Sequence, residues 1–174
     1  QRLALEEAGM RPSKLARYYK TMTAKGAERS LIGPPKAEAF LDLRERSPNF
    51  SEVIDDIEAL AGLQRAAGEA FSLPPILLLG SPGIGKTHFA KVLGTLAATR
   101  AEVVDMSQMT ASWILTGAGA TWDGAKAGRI ADALVNGSTA NPVLLLDEVD
   151  KAGQSEKFTP LGPLYGLLEP ETSS

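Results

Sequence analysis

Polar and apolar positions follow two rhythms along this chain. In the first half the apolar residues recur at helical spacing. Pro12-Ser13 opens a helix with Leu15, Tyr18, Tyr19 and Met22 at that spacing. Gly33-Pro34-Pro35 ends one element, and Lys36 to Arg46 forms another helix. Ser51 is an N-cap candidate for a third, whose face carries Val53, Ile57, Leu60 and Ala61 and which Pro74-Pro75 would stop. Further on, Ile76-Leu77-Leu78-Leu79 and Val143-Leu144-Leu145-Leu146 run without polar interruption, the pattern of strands buried on both faces of a parallel sheet. Glu102-Val103-Val104-Asp105 reads as a strand between them. Lys86 to Ala98, Lys126 to Val135 and Leu161 to Leu168 read as helices. Strands alternating with helices predict a three-layer α/β core with a parallel sheet, preceded by a short helical segment.

Composition narrows the chemistry. The chain has 174 residues, 44% hydrophobic and 22% charged, enough for one domain of ordinary size. With no cysteine it has no disulfide framework, iron–sulfur cluster or cysteine-ligated zinc. A single histidine, His88, excludes a histidine-rich metal site. No apolar run approaches the roughly 18 residues of a membrane span. No cleavable signal sequence is visible, so the cytoplasm is the expected location. The first residue is Gln rather than Met, so the natural start is expected upstream or removed.

The net charge of −3 hides an asymmetry. Residues 1–50 carry ten Lys/Arg against six Asp/Glu, and residues 51–174 carry eight against fifteen. The change falls near Ser47-Pro48-Asn49, which suggests a helical N-terminal segment at 1–48 and a core at 49–174. The basic stretch Arg11 to Lys25 has two readings: a nucleic-acid surface, or an amphipathic helix with a solvated basic face. The second is preferred.

Gly80-Ser81-Pro82-Gly83-Ile84-Gly85-Lys86-Thr87 fits G-x-x-x-x-G-K-[ST], the Walker A pattern, at every fixed position. It follows a predicted strand and opens a helix, as a phosphate cradle must. Glycines let successive N–H groups turn inward, and the helix start adds its positive dipole end. Lys86 would reach the β- and γ-phosphates of ATP, and the Thr87 hydroxyl would ligate Mg²⁺. An ordinary Gly-rich turn would not need Lys and Thr together at its end. His88 is taken with the loop as a nucleotide-contacting position, without a chemical role. About sixty residues on, a strand ends in Asp147-Glu148. Asp147 can stand beside the magnesium, in part through water, and Glu148 can polarise the attacking water. Lys86 and Glu148 are therefore the catalytic candidates. For Asp150 and Lys151 a local ion pair or a helix cap is an equally good reading.

With these residues in view, the chain resembles the AAA+ ATPases, a branch of the P-loop NTPases, and among them the ATPase module of Lon proteases. Four blocks carry the resemblance: GSPGIGKT at 80–87 against GPPGVGKT, TWDGAKAGRI at 121–130 against TYVGAxPGRI, NPVLLLDEVDK at 141–151 against NPVxLLDEIDK, and PLGPLYGLLEPET at 160–172 against PxxALLEVLDPEQ. The resemblance makes residues 49–174 part of an AAA+ large subdomain. It implies five parallel strands in the order 5-1-4-3-2, of which the chain supplies the first three, so an incompletely represented longer protein is expected. The fourth strand would lie between those at Ile76 and Val143. No peptidase region, sensor or arginine finger is assignable.

The resemblance also implies a homo-oligomeric ring, a hexamer, with a polypeptide substrate. The aromatic of the second block would grip that substrate in the central pore. Trp122 holds the aromatic position, and Asp123 stands where the family is apolar. The alternative is a Trp packed inward to anchor a surface loop. Phe50 and Val53 occupy the family's adenine-facing positions. The expected function is ATP hydrolysis coupled to remodelling or translocating polypeptides. Two alternatives remain: a nucleic-acid motor or loader, and a nucleotide-binding fragment that hardly turns over alone. The acidic balance after residue 50 argues against nucleic acid as partner.

Overall fold

The computed structural model describes residues 14–26, 28–99, 101–109, 111, 113–117, 127–152 and 161–168. Helix α1 spans Lys14–Lys25, α2 Ala37–Arg46, α3 Ser51–Ala67 and α4 Lys86–Leu96. Strand β1 (Ala101–Asp105) follows, then α5 (Trp113–Thr116), α6 (Arg129–Asn136), β2 (Val143–Asp147) and α7 (Gly162–Leu168). Single 3-10 turns lie at Pro48–Phe50, Met106–Gln108 and Val149–Lys151. No helix among the described residues is long and apolar enough to cross a membrane.

The first three helical segments of the sequence are present, and the apolar stripes of the second and third meet that of α4 in one core, while Tyr19 and Met22 of α1 are exposed. Phe40 and Leu43 of α2 pack with Ile54, Ile57 and Ala61 of α3 and with Phe89, Val92 and Leu93 of α4. This core crosses the 48/49 division, so α2 shares its packing with the helices that follow. Arg44 on α2 adds a fork to Asp55 (2.6 Å) and Glu58 (2.5 Å) on α3. Helix α3 ends at Gly68 rather than at Pro74-Pro75. There the Gly68 N–H reaches Arg65 O (3.2 Å) and the Glu69 N–H reaches Gln64 O (2.9 Å), which closes the last turn. Gln64 then pairs its buried amide with the backbone of Ser72, donating to O (2.7 Å) and accepting from N (3.3 Å).

Strands β1 and β2 run parallel in register from Ala101↔Val143 to Asp105↔Asp147. Under their C-terminal ends Val104, Met106, Met109 and Leu115 form a second core, which Leu161 and Leu164 flank. The third expected strand does not form. Ile76–Leu79 enters no ladder, and only Leu78 packs against the first core, while Leu77 and Leu79 are 75% and 83% exposed. The four-residue apolar run was expected to be buried on both faces. A strand in mid-sheet needs a neighbour on each side, and no described segment lies beside this one to accept its backbone groups. The pairing that does form, the strand at 101 beside the strand at 143, agrees with their adjacency in the implied order.

The N-terminal segment is bound to the sheet side by its cations. Lys25 Nζ donates to Asn136 O (2.5 Å), and Arg29 donates to Leu134 O (3.3 Å) and Val135 O (3.2 Å). These are last-turn carbonyls of α6, where a helix dipole presents its negative end. At the entry to β2, Asn141 acts as a three-way latch. Its Oδ1 accepts from Ile32 N (3.0 Å), and its Nδ2 donates to Ile32 O (2.9 Å) and Phe71 O (2.8 Å).

Two stability tests follow from this packing. A Cβ on Gly94 would lie 2.8 Å from both Cβ and N of Ala101. Alanine would gain about 1 kcal/mol in helix propensity, but overlap with backbone costs about 1–3 kcal/mol and sets the sign. Gly94→Ala is therefore expected to lower the urea midpoint. Asn141→Ala removes three bonds and leaves partly buried backbone groups unpaired, for an expected loss of about 1–3 kcal/mol in the same measurement.

Candidate functional site

The phosphate loop lies between Leu79 and α4, and its backbone explains its glycines. Gly83 and Gly85 hold φ of 83° and 99°, a region that L-residues with a Cβ avoid. Gly85 is the N-cap of α4 and no side chain caps the helix there. An eleven-residue helix thus begins with its first N–H groups uncapped by any side chain, beside a Gly-rich turn. Lys86 arches back over the loop, donating from Nζ to Gly80 O (2.9 Å) and Ser81 O (3.1 Å). Ser81, Pro82, Gly83 and Ile84 are exposed, so the loop is open to an incoming ligand.

Thr87, the next residue of α4, joins the loop to the sheet. Its Oγ1 donates to Asp147 Oδ2 at 2.6 Å, across sixty positions of sequence. The other oxygen, Asp147 Oδ1, accepts from Glu148 N at 3.1 Å. A hydroxyl and a carboxylate this close form an all-oxygen donor pair, the hard set that suits Mg²⁺, which takes one or two protein oxygens and leaves the rest to phosphate and water. Among the described residues no group of three or more His, Cys, Asp or Glu could hold a metal by itself. The site therefore fits a magnesium ion that arrives with a phosphate ligand.

Glu148 leaves the strand in the left-handed region, φ 55° and ψ 43°, an uncommon conformation for a residue with a Cβ. The turn that follows closes by Lys151 N donating to Glu148 O (2.9 Å), and Lys151 Nζ meets Glu148 Oε1 at 2.5 Å. Lys151 thus forms a local ion pair, with Glu148 as its partner. Its hydrogen bond to Glu148, and then the Coulomb attraction of the same carboxylate, hold the ammonium above the usual lysine range.

Phe50 stands on the other side of the loop. Its ring stacks on Phe89 with centroids 4.6 Å apart, and its Cε2 lies 3.9 Å from where a Gly85 Cβ would be. Val53 packs against the same core. His88 is exposed. Trp122 and Asp123 lie outside the described residues. What is described is the frame on either side, where Gly117 and Ala127 form an antiparallel bridge. Sequence reasoning missed the Asn141 latch. The only signal was an Asn opening the strand block, which nothing local distinguishes from a turn residue.

A parallel strand pair, a Gly-rich loop opening a helix, and a helix-start hydroxyl bonded to a strand-end acid define a P-loop nucleotide-binding module. Residues 76–173 match the ATPase family associated with various cellular activities (AAA), and the chain belongs to that family. Its AAA+ module is similar to that of Lon proteases. It is 38% identical over 101 residues to Lon protease 2 of Sorangium cellulosum, a stretch covering 58% of this chain and 13% of that protein. It is 37% identical over 102 residues to the peroxisomal Lon protease homolog 2 of Pichia angusta, covering 58% and 11%. The mitochondrial Lon protease homolog of Emericella nidulans is 35% identical over 99 residues, covering 57% and 9%. The chain thus matches only about an eighth of the length of these relatives, or less.

Proposed function

We propose that this chain binds MgATP at residues 80–87 and forms the hydrolytic part of a Lon-like AAA+ motor. The Thr87–Asp147 hydrogen bond carries the reading, because it brings the phosphate loop and the strand-end acid to one point. Lys86 would exchange the carbonyls of Gly80 and Ser81 for phosphate oxygens. The uncapped N–H groups at the start of α4 would receive the phosphates, with Gly80, Ser81, Pro82, Gly83, Ile84 and Gly85 forming the wall. Thr87 and Asp147 would hold Mg²⁺, Asp147 in part through water. When bound, the metal would offset the negative charge that develops during transfer. Glu148 orients a water molecule and takes its proton, acting as general base. Phe50, braced on Phe89 beside Gly85, would flank the adenine.

Turnover is proposed to drive polypeptide remodelling or translocation through a homo-oligomeric ring, with Trp122 and Asp123 on the substrate-contacting loop. A neighbouring subunit would supply the arginine that stabilises transfer. The similarity to Lon proteases supports this part of the reading, and the cytoplasm is its proposed setting. Against a nucleic-acid motor, Lys25 and Arg29 of the basic segment are engaged with carbonyls of α6.

The reading is tested by binding first. The chain is expected to bind a fluorescent ATP analogue with Mg²⁺, and Lys86→Ala to abolish saturable binding; undiminished affinity would overturn the site. In a ring that turns over, Glu148→Gln is expected to retain ATP while hydrolysis falls by about 10²-fold or more. Normal turnover would remove Glu148 as the base. Trp122→Ala is expected to keep basal hydrolysis and lose its stimulation by unfolded polypeptide, measured as phosphate release with and without substrate.

A further inference from the structure

The carboxylate proposed as the base is already paired. Lys151 Nζ lies 2.5 Å from Glu148 Oε1, and the intervening turn is closed by the Lys151 N–H on Glu148 O at 2.9 Å. The pair is therefore local, built by residues three apart, and asks nothing of the rest of the fold. Its side chains are 42% exposed for Glu148 and 58% for Lys151. An exposed pair of this kind adds too little to decide folding, yet a charge so placed can alter a ligand's affinity severalfold.

The surroundings give the pair its consequence. Asp105 ends β1 in register with Asp147 at the end of β2, and Glu148 and Asp150 follow at once. Asp105, Asp147 and Glu148 thus stand together at the strand ends with Asp150 two residues on, and among the described residues Lys151 is the cation bonded to Glu148. We propose that Lys151 is a positioning residue of the nucleotide site: by pairing with Glu148 it offsets that carboxylate's repulsion of the phosphates and holds the acid at the end of β2. This rests on the MgATP reading of the site. Lys151 acts through Glu148 and has no phosphate contact of its own.

The test is a double-mutant cycle on the 174-residue chain, reading the affinity for a fluorescent ATP analogue with Mg²⁺. Lys151→Met is expected to weaken binding roughly two- to fivefold. In a Glu148→Gln background, where no carboxylate needs offsetting, the same change should leave affinity unaltered. Lys151→Arg should restore wild-type affinity, and urea unfolding of all variants should match. An equal weakening in both backgrounds would assign Lys151 to the phosphates directly and overturn the proposal, as would no effect in either. Absence of saturable binding by the unsubstituted chain would overturn the MgATP reading itself, a result distinct from loss of coupling.

Discussion

The site depends on how closely α4 lies across the two-stranded sheet. Thr87 and Gly94 are two helical turns apart on one face, about 10.5 Å along the axis. Each strand of five residues spans about 13 Å. Gly94 rests on Ala101, at the start of β1, where even a methyl group would collide. Thr87 bonds to Asp147, at the far end of β2. The helix is thus fixed to the sheet at both ends and runs against the strands. Its bare N-terminus can only open over their C-terminal edge. Between the two contacts Ala90 is buried and has only a methyl group to accommodate. A loose fit at Gly94 would tilt α4 and separate the hydroxyl from the acid.

The parts of the molecule with a local signature were legible in the sequence. Gly80 to Thr87 declared a cradle because the left-handed φ of Gly83 and Gly85 demands residues without Cβ. Val143–Asp147 declared a strand because its apolar run ends abruptly in acids. Ile76–Leu79 shows the limit of the same logic. Its composition specifies a buried strand, but a strand exists only with a partner, and partnership is not a property of four residues. Lys151 lay between these cases: the residue was visible, but its partner, Glu148, is set by the turn that follows the strand.

What was illegible is carried by side chains bonded to distant backbone. Asn141 joins Ile32 and Phe71, and Lys25 and Arg29 reach carbonyls at the end of α6. Such bonds have no periodicity and need no particular neighbours in sequence. They recast the basic excess of residues 1–50, part of which serves as scaffold. Lys25 and Arg29 meet the negative end of a helix, and Arg44 meets two carboxylates of α3. The charge break near residue 49 accordingly marks a change in what the charges do. Apolar packing continues through it.

The end of β2 combines strain with satisfaction. A left-handed Glu148 costs about 1–2 kcal/mol relative to an ordinary conformation, and the chain offsets this with bonds made at the same place. The Glu148 N–H is taken by Asp147 Oδ1, its carbonyl by Lys151 N, and its carboxylate by Lys151 Nζ. Straight continuation of the strand would carry Glu148 a further step along the sheet, away from the helix that supplies Lys86 and Thr87. Turning at once keeps two successive acids beside one helix start while their carboxylates take different partners, Thr87 for Asp147 and Lys151 for Glu148. On the proposed reading, one acid would then hold the cation and the other the water molecule. That division of labour follows from the turn, since neighbouring Asp and Glu on a straight edge would compete for the same space.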